Sequence, residues 1–467
     1  MQMKIPGIML TAMASGSGKT AVTCALLAAL KNRGKCVAAC KCGPDYIDPM
    51  FHRKVIGVES ENLDLFFCNE VQLRSCFQKH ATGADIAVIE GVMGYYDGMG
   101  MESDKASSYD IARTLQVPSV LVFPCRGMAL SSLAVLKGML EFRKDSNIKG
   151  IIFNRISPSL YPKMKALVEQ GLNEMGHEVK VLGYVPEHPA FQIESRHLGL
   201  TLPEEIEGIK RQLEEAAQIL EQSADLDALV QLADSDVKAD SERKEESDLV
   251  CDLKSDVVIA VARDAAFGFY YKENLELIKE SGCRILYFSP LNDHSIPKAA
   301  DGILLGGGYP EAYAKTLSEN REMLADVKKK LDRGMPCIAE CGGFMYLLKN
   351  VQGMDGKYYP MAGVFPGNAT KQNRLIRFGY MNVKARENGL YLKKGETIRG
   401  HEFHYWEADQ VGTDCIVTKP DGKRSWEEIF MKDSIFAGYP HLYWSSRPEF
   451  IERFVEECRR RKTGCKN

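Results

Sequence analysis

The chain of 467 residues has no C-x-x-C pair among its fourteen cysteines, the closest two being Cys40 and Cys42. That spacing offers neither a zinc pattern nor a disulfide framework, so free thiols in a reducing compartment are expected. An excess of one charge sign is also missing, since 60 Lys and Arg stand against 63 Asp and Glu for a formal −3. This balance removes the bulk attraction on which a general binder of nucleic acid or acidic membranes depends. Long apolar runs are absent as well. The run in MQMKIPGIML is shorter than a secretory core and passes directly into a glycine-rich motif, and no stretch has the length of a membrane span. A cytoplasmic protein with neither nucleic-acid nor membrane partners is expected, its oligomeric state left open.

What remains is ordinary globular composition, 45% hydrophobic and 26% charged, in a chain long enough for two or three cores. Short apolar runs at 7–11, 37–40, 85–90, 119–123 and 150–153 alternate with helical patterns such as 20–31. Strands separated by helices predict a mostly parallel sheet covered on both faces. From 221 to 252 the sequence loses aromatics and gains Ser, Asp, Glu and Lys, which reads as a solvated linker. Strand-like runs resume at 257–261, 284–288, 302–305 and 336–339. The expected division is therefore 1–220, a polar linker 221–252, and a second α/β domain 253–467, with no repeat of fixed period.

After the first predicted strand, Ser15-Gly16-Ser17-Gly18-Lys19-Thr20 opens a helix. In that setting backbone N–H groups and the helix N-terminus cradle phosphate, Lys19 neutralises it and Thr20 reaches Mg²⁺. Met13 stands where the usual P-loop pattern has glycine. Acidic residues follow two further strands: Asp45 in CKCGPDYIDP and Glu90 at the end of an apolar run. Ligands of open α/β sheets gather at the carboxyl ends of strands. Mg²⁺ takes one or two carboxylates plus phosphate oxygens, so Asp45 and Glu90 are its expected ligands beside Thr20.

In the second half, Cys341 lies between a predicted strand and a helix in AECGGFM, the setting of a nucleophile elbow with a lowered thiol pKa. Upstream, the ILLGGGYPE segment carries Gly307 and Gly308, whose N–H groups could serve an oxyanion. A thiol nucleophile needs a base. His401, His404 and His441 all stand in the last quarter of the chain. The HEFH segment does not match the H-E-x-x-H zinc pattern.

The segments SGSGKT, KCGPDYIDPMFH, IEGVMGYYDG, VARDAAFGFYY, FSPLNDHSIP, ILLGGGYPE, AECGGFMYL and GHEFHY span nearly the whole chain. Together they resemble the cobyrinate a,c-diamide synthases, two-domain enzymes of cobalamin biosynthesis. The KCGPDYIDP segment is similar to these and not to the sister cobyric acid synthases. The resemblance implies an N-terminal ATP-binding P-loop domain like dethiobiotin synthetase and a C-terminal class I glutamine amidotransferase domain. It implies Cys341 as glutaminase nucleophile, His441 as its partner and Gly307, Gly308 and Gly342 around the glutamine. It further implies that Asp45, Tyr46, Asp48, Glu90 and Asp97 form the ATP, Mg²⁺ and corrinoid-carboxylate site. Many class I amidotransferases carry His-x-Glu, but here Tyr443 takes the acid's place, leaving the third member open. Phe123-Pro124-Cys125-Arg126-Gly127-Met128 also departs from the more usual Asp-Ala-Arg-Gly-Met.

The implied reaction is ATP- and glutamine-dependent amidation of two corrinoid acetates through acyl phosphates. Hydrogenobyrinate or a nickel sirohydrochlorin would serve the same chemistry. A P-loop ATPase switch with an inert amidotransferase-like binding domain is the reading from a different class.

Overall fold

The computed structural model describes residues 5–192, 203–235 and 257–464. The chain folds as two units, Met1–Lys244 and Glu245–Asn467. In the first, strands β1 (Gly7–Thr11), β2 (Val37–Cys42), β3 (Ser60–Leu63), β4 (Ile86–Glu90), β5 (Ser119–Pro124), β6 (Ile148–Asn154) and β7 (Lys180–Val185) form one parallel sheet, ordered β3-β2-β4-β1-β5-β6-β7. Strands β1 and β4 are buried along their whole length, as a sheet covered on both faces requires. Helix α1 (Lys19–Asn32) follows β1 and buries Leu26, Leu27 and Leu30 completely. Each such leucine contributes about 1.5–3 kcal/mol relative to an exposed one.

The polar stretch expected as linker differs from that reading over its first part. Residues Pro203–Ser223 and Leu226–Ser235 are helices, and Leu226, Leu229 and Ala233 are buried in the core around α1. Their apolar positions recur at helical spacing inside a polar composition, which composition alone averages away. Residues 236–252 lie outside the described residues.

In the second unit, β8 (Val258–Ala262), β9 (Phe267–Phe269), β10 (Arg284–Phe288), β11 (Gly302–Leu305), β12 (Gly307–Gly308) and β13 (Cys337–Glu340) come first. They are followed by β14 (Asn350–Gln352), β15 (Tyr358–Pro360), β16 (Asn368–Ala385), β17 (Thr397–Ala408), β18 (Cys415–Thr418), β19 (Ser425–Glu428), β20 (Phe430–Lys432), β21 (Ile435–Gly438) and β22 (His441–Tyr443). One sheet runs β10-β8-β11-β13-β21-β20, parallel except for β20. A second, largely antiparallel sheet runs β15-β14-β16-β17-β22, with β18 and β19 attached.

Strands β21 and β22 are separated only by Tyr439 and Pro440, yet belong to different sheets. The chain therefore leaves the strand beside β13 and enters the edge of the second sheet within two residues. Among the described residues no helix is long and apolar enough to cross a membrane.

Candidate functional site

The carboxyl ends of β1, β2, β4 and β6 open into a cavity of about 770 Å³. Ser15, Gly16, Gly18, Lys19 and Thr20 line it from the loop after β1, with Asp45, Asp48 and Glu90 opposite. Ser17 is turned inward, its hydroxyl donating to Ala14 O at 2.9 Å. Gly18, just before α1, has φ 90°. A β-carbon there would lie 2.3 Å from Asn154 Nδ2, so Gly18 meets both a conformational and a steric need. Asn154, at the end of β6, also donates to Ser17 O at 2.8 Å and ties the loop to the sheet.

Lys19 Nζ donates to the carbonyls of Ala14 and Met93, at 3.1 and 2.5 Å. Burial and the neighbouring charge of Lys41 lower its pKa to about 8, against the pull of Glu90 and Asp97. Thr20 Oγ1 donates to Glu90 Oε1 at 2.6 Å, and Lys41 Nζ stands 2.7 Å from the same oxygen. Lys41 also pairs with Asp48 and lies 4.0 Å from Asp45. Burial alone would lower the Lys41 pKa, but Glu90, Asp48 and Asp45 hold it well above its ordinary value. Burial raises Glu90 to about 7, with Lys41 opposing and Asp48 adding to the rise.

These donors are hard oxygens, and Glu90 Oε2 is a buried atom with no hydrogen-bond partner. Thr20, Asp45 and Glu90 thus fit Mg²⁺ better than a soft metal. Asp97 and Tyr46 do not line the cavity. Asp97 instead accepts from Gly94 N at 2.9 Å and braces the loop behind β4.

Sequence reasoning passed over Lys41, Arg126, Asn154, Arg155, Glu187 and His188, all of which line the cavity. Lys41 and Arg126 sit in segments that were conspicuous for other residues. Asn154 ends β6, Arg155 follows it, and Glu187 and His188 follow β7; only the rule that sites gather at strand ends could have found them.

In the second unit, Cys341 follows β13 at φ 50°, ψ −106° and begins the short helix Gly342–Leu347. A non-glycine residue held there signals a constrained turn, which supports the elbow expected from sequence. The glycines cluster around it. A β-carbon on Gly342 would lie 3.0 Å from Gly308 N, and one on Gly307 would lie 2.2 Å from Cε1 of His441.

The lowered thiol pKa expected at this elbow is not found. Burial, with Glu311, Glu402 and Glu340 nearby, pushes the Cys341 thiol up. One six-residue helix does not outweigh those effects. Burial and His404 lower His441 to about 3, so the pair rests as neutral thiol and neutral imidazole.

Of the three histidines, His404 is committed elsewhere. Its Nδ1 lies 2.7 Å from Trp406 O, its Nε2 lies 3.3 Å from Glu402, and its ring stacks 4.0 Å from Tyr439. His401 stands opposite His441 in the β17–β22 register, the rings 6.5 Å apart. Tyr443 packs edge-on to Tyr271 at 5.6 Å.

Comparisons with known proteins agree with both halves. Residues 8–200 match the CobQ/CobB/MinD/ParA nucleotide binding domain, and residues 258–449 match the CobB/CobQ-like glutamine amidotransferase domain. Cobyrinate a,c-diamide synthase from Caldanaerobacter subterraneus subsp. tengcongensis is 38% identical over 95% of this chain and 96% of its own. The protein of that name from Listeria innocua is 39% identical over 95% and 97%. That from Picrophilus torridus is 36% identical over 98% and 99%. On this likeness along its whole length, the chain belongs to the cobyrinate a,c-diamide synthase family and is an ATP-dependent, glutamine-using amidoligase.

Proposed function

We propose that this enzyme amidates the a and c acetates of cobyrinate, with ATP activating each carboxylate and glutamine supplying the ammonia. The observation that carries the reading is the occurrence in one chain of the Lys19 cavity and of the Cys341 elbow, whose neighbour Gly342 meets Gly308 while Gly307 meets His441. A carboxylate resists ammonia because oxide is a poor leaving group. The substrate carboxylate oxygen attacks the γ-phosphorus of ATP, ADP departs, and an acyl phosphate forms. Lys19 and the amides of 15–18 neutralise charge during this transfer. Thr20, Asp45 and Glu90 would hold Mg²⁺, which neutralises phosphate charge when bound. Asp48, which lines the cavity beside Asp45, places the corrinoid carboxylate, while Asp97 braces the loop after β4.

Ammonia arises in the second unit. Cys341 Sγ attacks the glutamine side-chain carbonyl as His441 takes the thiol proton, and the amides of Gly307, Gly308 and Gly342 face the oxyanion. The proton passes from His441 to the departing ammonia, and water then hydrolyses the thioester to glutamate. Ammonia attacks the acyl phosphate carbon and inorganic phosphate leaves, completing one amide. In this assignment 1–220 carries the ATP chemistry and 253–467 the glutaminase. The free cysteines among the described residues favour a reducing compartment, the cytoplasm.

Mass spectrometry of cobyrinate after incubation with enzyme, ATP, Mg²⁺ and glutamine tests the proposal. Two successive carboxyl-to-amide conversions are expected. Conversion only of hydrogenobyrinate or nickel sirohydrochlorin would overturn the choice of macrocycle.

A further inference from the structure

We propose that Glu340 is a positioning residue for glutamine hydrolysis, fixing the strand that carries His441 against the strand that leads into Cys341. The inference rests on the reading of Cys341 and His441 as the glutaminase pair. A catalytic base works only when something orients it, and that role commonly falls to a third polar group. Here the orienting contacts run through the backbone.

Strand β22 is the edge of its sheet, paired on one side with β17. The polar groups on its other side meet side chains instead of a strand. Leu442 N donates to Glu340 Oε1 at 3.3 Å. Leu442 O accepts from Asn274 Nδ2 at 2.7 Å, and Trp444 N donates to Asn274 Oδ1 at 3.0 Å. Both side chains are buried, Glu340 at 5% and Asn274 at 3% exposure. On its own strand Glu340 is aligned with Gly438, and the next residue, Cys341, donates its N–H to Gly438 O at 2.8 Å.

One carboxyl therefore links the residue before the nucleophile to the residue after the base. Burying a carboxyl is costly where a leucine would be cheap, and a single acceptor for a single edge N–H is what it provides here. Burial pushes Glu340 up to about 8, against the opposing bond from Leu442, so an uncharged acceptor suits the position.

The test is a double-mutant cycle on glutamine hydrolysis in the full chain. Glu340→Ala should lower kcat roughly 10²-fold, the scale of a small misplacement, with KM for glutamine within about threefold. Glu340→Gln keeps the acceptor and should restore kcat to within about threefold of wild type. In a His441→Ala background, Glu340→Ala should add less than about threefold, because there is no base left to misplace. Should the alanine variant fail to fold, Glu340→Leu, which fills the space without an acceptor, takes its place in the cycle. Equal losses in both backgrounds, or a folded Glu340→Gln as impaired as alanine, would overturn the positioning role. Unaltered hydrolysis in His441→Ala alone would instead overturn the Cys341–His441 pair on which the proposal stands.

Discussion

Gly307 and His441 approach so closely that a β-carbon on Gly307 would lie 2.2 Å from Cε1 of the imidazole. The glycine loop after β11 and the histidine of β22 form one wall of the same site, although 134 positions separate them in the numbering. Gly307→Ala must therefore push the ring aside. Glutaminase activity is expected to fall about 10²-fold, as for a displaced catalytic group, while amidation from free ammonia persists. Parallel assays with the two nitrogen sources check this.

Cys341→Ser should abolish amidation from glutamine and leave amidation from high ammonia largely intact, because the thiol acts on glutamine alone. Equal loss with both nitrogen sources in a folded variant would remove Cys341 from a purely glutaminase role.

Lys19→Ala should eliminate amidation from either source, since phosphoryl transfer precedes both. Its ammonium is held at the loop by two carbonyls beside Glu90, and alanine leaves that position without a charge. ATP-dependent amidation at near wild-type rate would contradict the phosphate-loop assignment.

His441→Ala should cut glutamine hydrolysis by roughly the 10²- to 10⁴-fold range of general acid–base catalysis. His404→Ala should act mainly on stability, because it removes the stack on Tyr439 and the bonds to Trp406 and Glu402. Glutaminase rates and thermal unfolding of both variants separate the two roles.

Glu340 also carries a pH signature. Its folded pKa of about 8 lies above the ordinary 4.5, so the folded chain holds a proton that the unfolded chain releases between those values. Stability from this group is complete below about 4.5 and is lost as pH rises toward about 8. Glu340→Gln removes the titration. Its urea midpoint relative to wild type should rise between about pH 5 and pH 8. A constant difference across that window would contradict the buried, raised carboxyl.

Much of the first unit was legible because its strands are continuous apolar runs and its functional loop is local in sequence. β1 through Thr20 forms a strand, a loop and a helix within one short segment. The second sheet of the other unit was not legible. Strand β16 carries Lys371, Arg374, Arg377 and Gly379, and its register to β17 shifts twice, so no clean alternation marks it. Residue types and spacing left the three histidines unranked, and only the family resemblance singled out His441. His441 meets Gly307 because the chain changes sheets across Tyr439 and Pro440, and His404 is tied up only by tertiary partners. Lys41 escaped notice because a lysine in a strand reads as a solvated charge until three carboxylates close around it.

The central claim is that ATP and glutamine are consumed together to amidate a corrinoid. It is tested most directly by counting ADP, glutamate and amide in one reaction with cobyrinate. The account predicts one ADP and one glutamate for each amide, with two amides on every fully converted macrocycle. ADP released without amide, or glutamate formed while cobyrinate stays unmodified, would contradict it.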